Sequence, residues 1–506
     1  MASKYIAIDM GAESGRLVLG TIVDERLDIK ELHRYKTQGT EIHGHLYWDV
    51  LRFFEEIIEG MKNHAKQFEG KIDGVGIDTW GVDFVILDKH DNLVGMPYHY
   101  RDPAMNAAME DLFRVIPREQ IYEKTGIQFM SLNTIVKLHA LAKGGHPCTV
   151  PGVGKTFLMM PDYFNFLLTG EKAIEYTDAS TTQLLDARTR DWVVPFLERL
   201  HVDPALFSKP VQPARVFGPL APALRDKVGV ASATVHLTAS HDTASAVAGT
   251  PLGSKNAAYI SSGTWSLLGL EVDKPILTRQ ASEMNFTNEG GIGGTIRLLK
   301  NIAGMWLLQQ SRARWEAETG KRLGYDQIMA DAARNSAFDS IVFPDDNTRF
   351  LNPPNMLDAI RQSCKDTGQQ PPKTFGEFAA LVFTSLALRY RHVLGMLQDL
   401  TGVKVDALHV VGGGSRNALM CQHAADATGL PVLAGPDEAT SIGNIIVQAI
   451  SSGEVKDIKA GRKMVAASFP ITRYEPGDQD KWNLLYNEKY IPLFVEKKGN
   501  DQETRA

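Results

Sequence analysis

Asp9-Met-Gly-Ala-Glu-Ser-Gly-Arg16 sets an acid at the end of an apolar run, then two glycines, a hydroxyl and a cation within one turn. Those are the parts of a phosphate site. Glycines let backbone N–H groups approach oxyanions, Ser14 can donate, Arg16 supplies charge, and Asp9 can hold Mg2+ through water. The same spelling also fits a plain hairpin turn carrying a surface arginine. Ser261-Ser-Gly-Thr-Trp-Ser266 is a second hydroxyl-rich turn, and the pair could clamp a polyphosphate from both sides. Gly412-Gly-Gly-Ser415 follows the apolar run 408–411 and precedes a helix expected near Asn417, where N–H groups and the helix dipole favour an anion. It is equally the spelling of a tight turn, and the dinucleotide fingerprint fails because Asn417 stands where a third glycine is required. Gly154-Lys155-Thr156 reads as a plain loop, since Thr149 occupies the position of a phosphate loop's first glycine.

A second set of residues suits an acceptor. In Ser240-His241-Asp242-Thr243-Ala244 the aspartate stands at the start of a small-residue run read as a helix, whose dipole would favour the carboxylate and so a general base. An aspartate there can also be only an N-cap. Adjacent His and Asp point to opposite faces of a strand and are not a hydrolase dyad, and no G-x-S-x-G supports a triad. Asp78-Thr-Trp-Gly-Val-Asp83 offers carboxylates for hydroxyls and an indole for the C–H face of a polyol, or else one solvated acid and a core tryptophan. The stretch 300–309 reads as an amphipathic helix with Asn301, Met305 and Leu308 on one face and Gln309 two turns beyond Asn301.

The elements that must position these residues repeat. Apolar runs at 4–8 and 17–22 flank the first turn, and runs at 256–261 and 265–270 flank the second, a hairpin signature recurring about 250 residues later. Lys71-Ile-Asp-Gly-Val-Gly-Ile-Asp-Thr-Trp-Gly81 and Lys404-Val-Asp-Ala-Leu-His-Val-Val-Gly-Gly-Gly414 share the spacing of lysine, aspartate, strand and terminal glycine. Each follows a long amphipathic helix. The first is capped by Asp49; the second opens with a Thr374/Glu377 capping box and stops at Gly402. Hairpin, helix, strand and glycine turn in both halves imply two α/β domains related by duplication, 1–246 and 247–506, with function expected in a cleft between them. The segment 204–222 reads as a proline-rich surface excursion, with a second excursion bracketed by Pro353-Pro354 and Pro371-Pro372. The tail 497–506 reads as frayed.

The 506 residues carry 54 Lys+Arg against 60 Asp+Glu, a net charge of -6 that gives no electrostatic grip on nucleic acid. Three distant cysteines fit neither a zinc site nor a disulfide framework. Asp9 interrupts the first apolar run, 5–10, so no signal-peptide core is expected, and no stretch of 18 apolar residues suggests a membrane span. A cytoplasmic protein is expected, with no nucleic-acid or membrane partner.

At these residues the sequence resembles the FGGY carbohydrate kinases, of the actin-like ATPase superfamily. The resemblance rests on 9–16, 76–84, Tyr100-Arg-Asp102, Met160-Pro-Asp-Tyr163, Glu175-Tyr176-Thr177, 240–247, 261–267, Thr287-Asn-Glu-Gly-Gly291, 299–309 and 410–414. It implies two actin-like (ribonuclease H-like) ATPase domains with a catalytic cleft between them. The implied reaction is ATP-dependent phosphorylation of a ketose primary hydroxyl, most of all L-rhamnulose, with L-fuculose or L-xylulose as alternatives and a nucleotide-gated actin-like binding protein as a distant one. It further implies Asp242 as the base, Asp9 beside Mg2+, and Ala12, Glu13, Ser14, Gly15, Arg16 and Thr264 on the ATP phosphates. Gln309, Gly413 and Gly414 would hold the nucleotide, and Gly81, Asp83, His241, Asp242, Thr243 and Asn301 the sugar. The family's N-terminal signature often reads Lys-Leu-x-Trp, whereas Lys137-Leu138-His139-Ala140 lacks the tryptophan.

Overall fold

The computed structural model describes residues 2–68, 72–105 and 107–496; Lys71 and the tail 497–506 lie outside them. The first sheet orders the strands Arg26–Lys36, Ser14–Val23, Ser3–Met10, Gly74–Thr79, Thr234–Leu237 and Arg215–Pro219. Ser3–Met10 runs antiparallel to Ser14–Val23, placing Asp9 opposite Arg16, and parallel to Gly74–Thr79, placing Asp9 beside Asp78. The second sheet orders Thr287–Gly290, Ile296–Ile302, Ser266–Val272, Ala257–Ser262, Ala407–Val411, Val432–Ala434 and Thr472–Tyr474. Ala257–Ser262 repeats the central pattern, antiparallel to Ser266–Val272 and parallel to Ala407–Val411. Each sheet continues with a second parallel strand and then an antiparallel edge. The duplication read from hairpin and glycine spacing is thus a repeated strand order.

The helices before the parallel strands form as their caps dictate. Asp49 accepts from the Arg52 N–H at 3.2 Å to start Val50–Gln67, which buries Val50, Phe53, Ile57, Ile58 and Met61. Thr374 and Glu377 close a reciprocal box at the start of Phe375–Thr401, and Gly402 ends that helix at φ 68°.

The chain divides into two compact units, but these are not its two sequential halves. One comprises Met1–Pro251, Glu271–Leu298 and Glu438–Phe469; the other comprises Leu252–Leu270, Leu299–Asp437 and Pro470–Ala506. The segments 271–298 and 438–469, which follow a division near 246 in the sequence, pack with the first unit. The helix Ala439–Ser451 explains the second of these: its fully buried Ile442, Ile445 and Ile446 pack in one core cluster with Tyr5, Ala7, Val18 and Ile22. Each such side chain contributes roughly 1.5–3 kcal/mol. Glycines let this helix come close to Asp242–Ala248. A Cβ on Gly443 would lie 1.8 Å from the Ser245 carbonyl oxygen, and one on Gly249 would lie 2.2 Å from that of Ala439.

Two local expectations change. The proline-rich stretch 204–222 includes an edge strand, Arg215–Pro219, because an edge tolerates a residue without an N–H. The stretch 300–309 is not one helix: Ile296–Ile302 is a strand and the helix Trp306–Thr319 starts only after Gly304 at φ 31°. The apolar residues Ile296, Leu298, Leu299 and Ile302 serve a strand buried on both faces, a pattern that mimics helical spacing.

Candidate active site

The residues with the right chemistry fall into two groups, one in each unit. In the first unit, Asp9 lies one residue before the end of its strand, 5% exposed, and is held by two side chains. Arg16 Nη2 donates to Asp9 Oδ2 at 2.8 Å and Ser441 Oγ donates to the same oxygen at 2.7 Å, while Arg16 also pairs with Glu438. The neighbouring strand brings in Asp78, wholly buried, whose Oδ2 accepts from Asn444 Nδ2 at 2.6 Å and whose Oδ1 has no partner. Burial first, then the charge of Asp9, pushes the Asp78 carboxyl well above the usual range. The turn 11–13 itself is closed by a Gly11 N–H to Ser14 carbonyl bond of 3.1 Å and is clasped by Thr37, whose Oγ1 donates to the Gly11 carbonyl at 2.6 Å. Ala12 and Ser14 are half-buried and Glu13 is exposed; Gly15 is covered by the Tyr35 ring.

The second wall of this group is the start of the helix Asp242–Ala248. Its position is set by backbone bonds: the Thr79 N–H donates to the Ser240 carbonyl at 2.8 Å, and the His241 N–H donates to Thr177 Oγ1 at 3.3 Å. The Asp242 side chain keeps 32% of its surface open. Its Oδ1 accepts from Thr243 Oγ1 at 3.1 Å and faces His241 Nε2 at 3.4 Å. Burial and the Asp9 charge together raise its carboxyl to about 7, outweighing the Thr243 hydrogen bonds. The ionised form expected from the helix dipole is therefore not the one the apoprotein favours below neutral pH. The other side of His241 meets Arg297, whose Nη2 donates to His241 Nδ1 at 3.0 Å and lies 3.2 Å from Glu289 Oε2.

Asp83 does not offer an oxygen to a ligand. It is 0% exposed; its Oδ2 accepts from the Trp48 and Trp80 indole N–H groups at 2.5 and 2.8 Å, and its Oδ1 pairs with the Lys137 ammonium. The sugar contact expected of it gives way to a structural role, because a buried carboxylate must be fully paired. The same pair accounts for Lys137 in the segment that departs from the family signature. Gly81 lies nearby, with a Cβ there falling 2.8 Å from Thr181 Cγ2.

In the second unit, the turn 263–265 is closed by a Gly263 N–H to Trp265 carbonyl bond of 2.8 Å, and the Thr264 carbonyl accepts from the Trp306 N–H at 3.1 Å. This ties the second hairpin to the first turn of the helix carrying Gln309, whose Oε1 is buried without a partner. Asn301 lies one residue before the end of its strand. Ala407–Val411 ends in a 3-10 turn, Gly413–Arg416, and Asn417 caps the helix Ala418–Thr428 through its Oδ1 to the Met420 N–H at 3.0 Å. Gly414 is packed so tightly that a Cβ would lie 2.0 Å from Ser262 Oγ, whereas Gly413 is exposed with nothing within 4 Å of its Cβ position. Backbone N–H groups at an open glycine beside a hydroxyl-rich turn suit an anion or a ribose.

For a divalent cation, Asp9 has the right chemistry: burial together with its charge raises the neighbouring Asp78 and Asp242 carboxyls, and Asp78 Oδ1 beside it is buried without a partner. Among the described residues no three His, Cys, Asp or Glu side chains gather closely enough to hold an ion alone. The donor set fits a hydrated hard cation shared with phosphates.

Family models match both halves of the chain: the N-terminal domain of the FGGY family of carbohydrate kinases over residues 4–249 and its C-terminal domain over 258–452. The chain belongs to the FGGY family of carbohydrate kinases. It is 42% identical over 486 residues to a rhamnulokinase of Bacteroides thetaiotaomicron, covering 96% of this chain and 98% of the relative. It is 43% identical to a rhamnulokinase of Pectobacterium carotovorum, covering 94% of each. A ligand-bound xylulose kinase from Lactobacillus acidophilus superposes with a TM-score of 0.79 at 17% identity, covering 98% of this chain and 99% of that one. Plasmodium falciparum glycerol kinase with ADP superposes with a TM-score of 0.75 at 14% identity and the same coverage. The fold is the two-domain α/β architecture of the actin-like ATPases, and the protein is a carbohydrate kinase that phosphorylates a sugar from ATP.

Sequence reasoning did not reach Arg297, Glu289, Ser441 and Asn444. Two signals were present: a single arginine in the apolar strand 296–302, and the spacing of Ser441, Asn444 and Gln448 along one face of an otherwise apolar helix.

Proposed function

We propose that this kinase transfers the γ-phosphoryl group of ATP to the primary hydroxyl of L-rhamnulose, giving L-rhamnulose 1-phosphate in the cytoplasm. The identity of 40 to 43% to rhamnulokinases over nearly the whole chain supports the substrate. The observation that carries the chemistry is Asp242, a partly open carboxyl raised to about 7 at a helix start. A base poised near neutrality takes a hydroxyl proton efficiently.

In this reading Asp242 accepts the proton of the acceptor hydroxyl as that oxygen attacks the γ-phosphorus in line and ADP leaves. His241, Thr243, Gly81 and Asn301 orient the ketose, while Ala12–Arg16 and Thr264 neutralise and position the phosphates. Gln309, Gly413 and Gly414 hold the nucleoside end. Asp9 would hold Mg2+, which would supply charge neutralisation on the phosphates. Positioning and preorganised charge, rather than covalent chemistry, lower the barrier.

The test is sugar-dependent ADP release with Mg-ATP across L-rhamnulose, L-fuculose, L-xylulose, L-ribulose, D-xylulose and glycerol, against a sugar-free blank. The expected result is the highest kcat/KM with L-rhamnulose. Preference for another ketose would refute the substrate, and release equal to the blank for every sugar would refute the acceptor reading.

A further inference from the structure

Beside the proposed base runs a chain of buried polar groups, two of which, Arg297 and Glu289, have no part in the phosphate or sugar contacts assigned above. Glu289, 5% exposed, lies against Arg297, which is 0% exposed; Arg297 meets His241, 7% exposed, and His241 meets Asp242. Arg297 is anchored independently by Nε, which donates to the Gly290 carbonyl at 2.8 Å, so its Nη2 is aimed at His241 by the strand Ile296–Ile302. A guanidinium has donors only. Its Nη2 can therefore approach His241 Nδ1 at 3.0 Å only if that nitrogen is the bare acceptor, which places the ring proton on Nε2, 3.4 Å from Asp242 Oδ1.

We propose that Arg297 is a positioning residue for phosphoryl transfer: by occupying His241 Nδ1 it fixes the neutral Nε2–H tautomer, which holds Asp242 Oδ1 and leaves Oδ2 to take the acceptor proton. The proposal rests on Asp242 as the base. Two alternatives are closed by the same contact. A proton on Nδ1 would turn a bare Nε2 toward the carboxylate, lone pair against lone pair. An imidazolium, which Glu289 at 3.4 Å from Nδ1 would otherwise favour, would pair with Asp242 and weaken it as a base. Glu289 instead balances Arg297, so that the ring sits between a cation and a carboxylate without acquiring charge. The charged groups facing this chain are Asp9 and Asp78 toward Asp242, and Asp178 toward both Asp242 and Glu289. All are acids, so loss of Arg297 would favour the imidazolium.

The test is the imidazole nitrogen NMR spectrum of the full-length protein labelled at histidine, with the His241 signals among the 14 histidines assigned by their loss in His241→Gln. The expected wild-type result is a neutral Nε2–H ring at pH 7; an Nδ1–H ring or an imidazolium would overturn the proposal without any activity measurement. The second arm is Arg297→Met combined with Glu289→Gln, which removes both buried charges together. In this variant the His241 ring should lose its single tautomer, and kcat should fall roughly ten- to a hundredfold with KM for ATP unchanged. An unchanged tautomer, or a kcat within about twofold of wild type, would overturn the proposal. If the double variant does not fold, the wild-type spectrum decides alone. Failure of the base assignment shows separately, as retained turnover in Asp242→Asn.

Discussion

Replacing Asp242 by asparagine should make the protein more stable while removing its chemistry, and the structure sets the size of the gain. The carboxyl is raised from its ordinary 3.8 to about 7 by burial and by Asp9. A group whose folded value lies above its unfolded one prefers the unfolded state when ionised. The penalty is absent below about pH 4, grows as pH rises, and is complete above about 7. Three units correspond to about 4 kcal/mol, which the 32% open side chain reduces to roughly 2 kcal/mol. Asparagine cannot ionise, so it escapes the penalty at every pH. The assay is thermal unfolding of wild type and Asp242→Asn in metal-free buffer at pH 5, 6, 7 and 8, with sugar-dependent ADP release measured alongside. The variant should melt higher, by a margin that widens from pH 5 to 7 and then stays constant, with kcat reduced by a factor on the order of 10²–10⁴. A margin that does not change with pH, or a variant less stable at pH 8, would refute the electrostatic reasoning. Retention of more than about a tenth of wild-type turnover would refute the base assignment.

In wild type, log kcat/KM for the sugar should fall with unit slope as pH drops below about 7, since only the ionised Asp242 accepts a proton; a flat profile from pH 5 to 8 would count against it. Asp83→Ala should destabilise the fold by about 3–5 kcal/mol in denaturant melts, because it strands the 1% exposed Lys137, and adding Lys137→Met should recover much of the loss. Unchanged stability with only a raised sugar KM would return Asp83 to the binding site. Gly414→Ala should cost about 1–3 kcal/mol by forcing a methyl onto Ser262 Oγ. Gly413→Ala, with open space around it, should leave the melting curve unchanged and raise KM for ATP roughly tenfold; no change in that KM would remove the turn from the nucleotide site.

The repeated architecture was legible in the sequence because its signals are local. Asp49, Thr374 and Glu377 are caps that act within one turn, Gly402 stops a helix by its own backbone freedom, and the hairpin turns carry their glycines with them. The helix proposed for 300–309 failed for a local reason too: a strand buried on both faces shows no alternation, and a short apolar run then fits either period. Asp83 illustrates a different limit. Its residue type and its place after a strand suit a ligand, and only the arrival of Trp48 and Lys137 from distant segments shows that its oxygens are already taken.

The groups that tune the site were hidden because register and chain path decide them. Asp9 and Asp78 are 69 positions apart and become neighbours through parallel pairing, which adds repulsion to the burial that raises Asp78. Ser441 and Asn444 come from 432 and 366 positions away to answer that repulsion with one hydrogen bond each, and the small residues at Gly249 and Gly443 let their helix lie close against the one that starts at Asp242. Their cost to folding explains why they are few. Each carboxylate held near another destabilises the apoprotein, and each buried partner must be delivered by a core already packed for other reasons, here the isoleucines of Ala439–Ser451. The same helix therefore serves the hydrophobic core on one face and the acids on the other. A substitution on its apolar face, such as Ile445→Ala, would reach the Asp9 and Asp78 carboxylates only by moving Ser441 and Asn444.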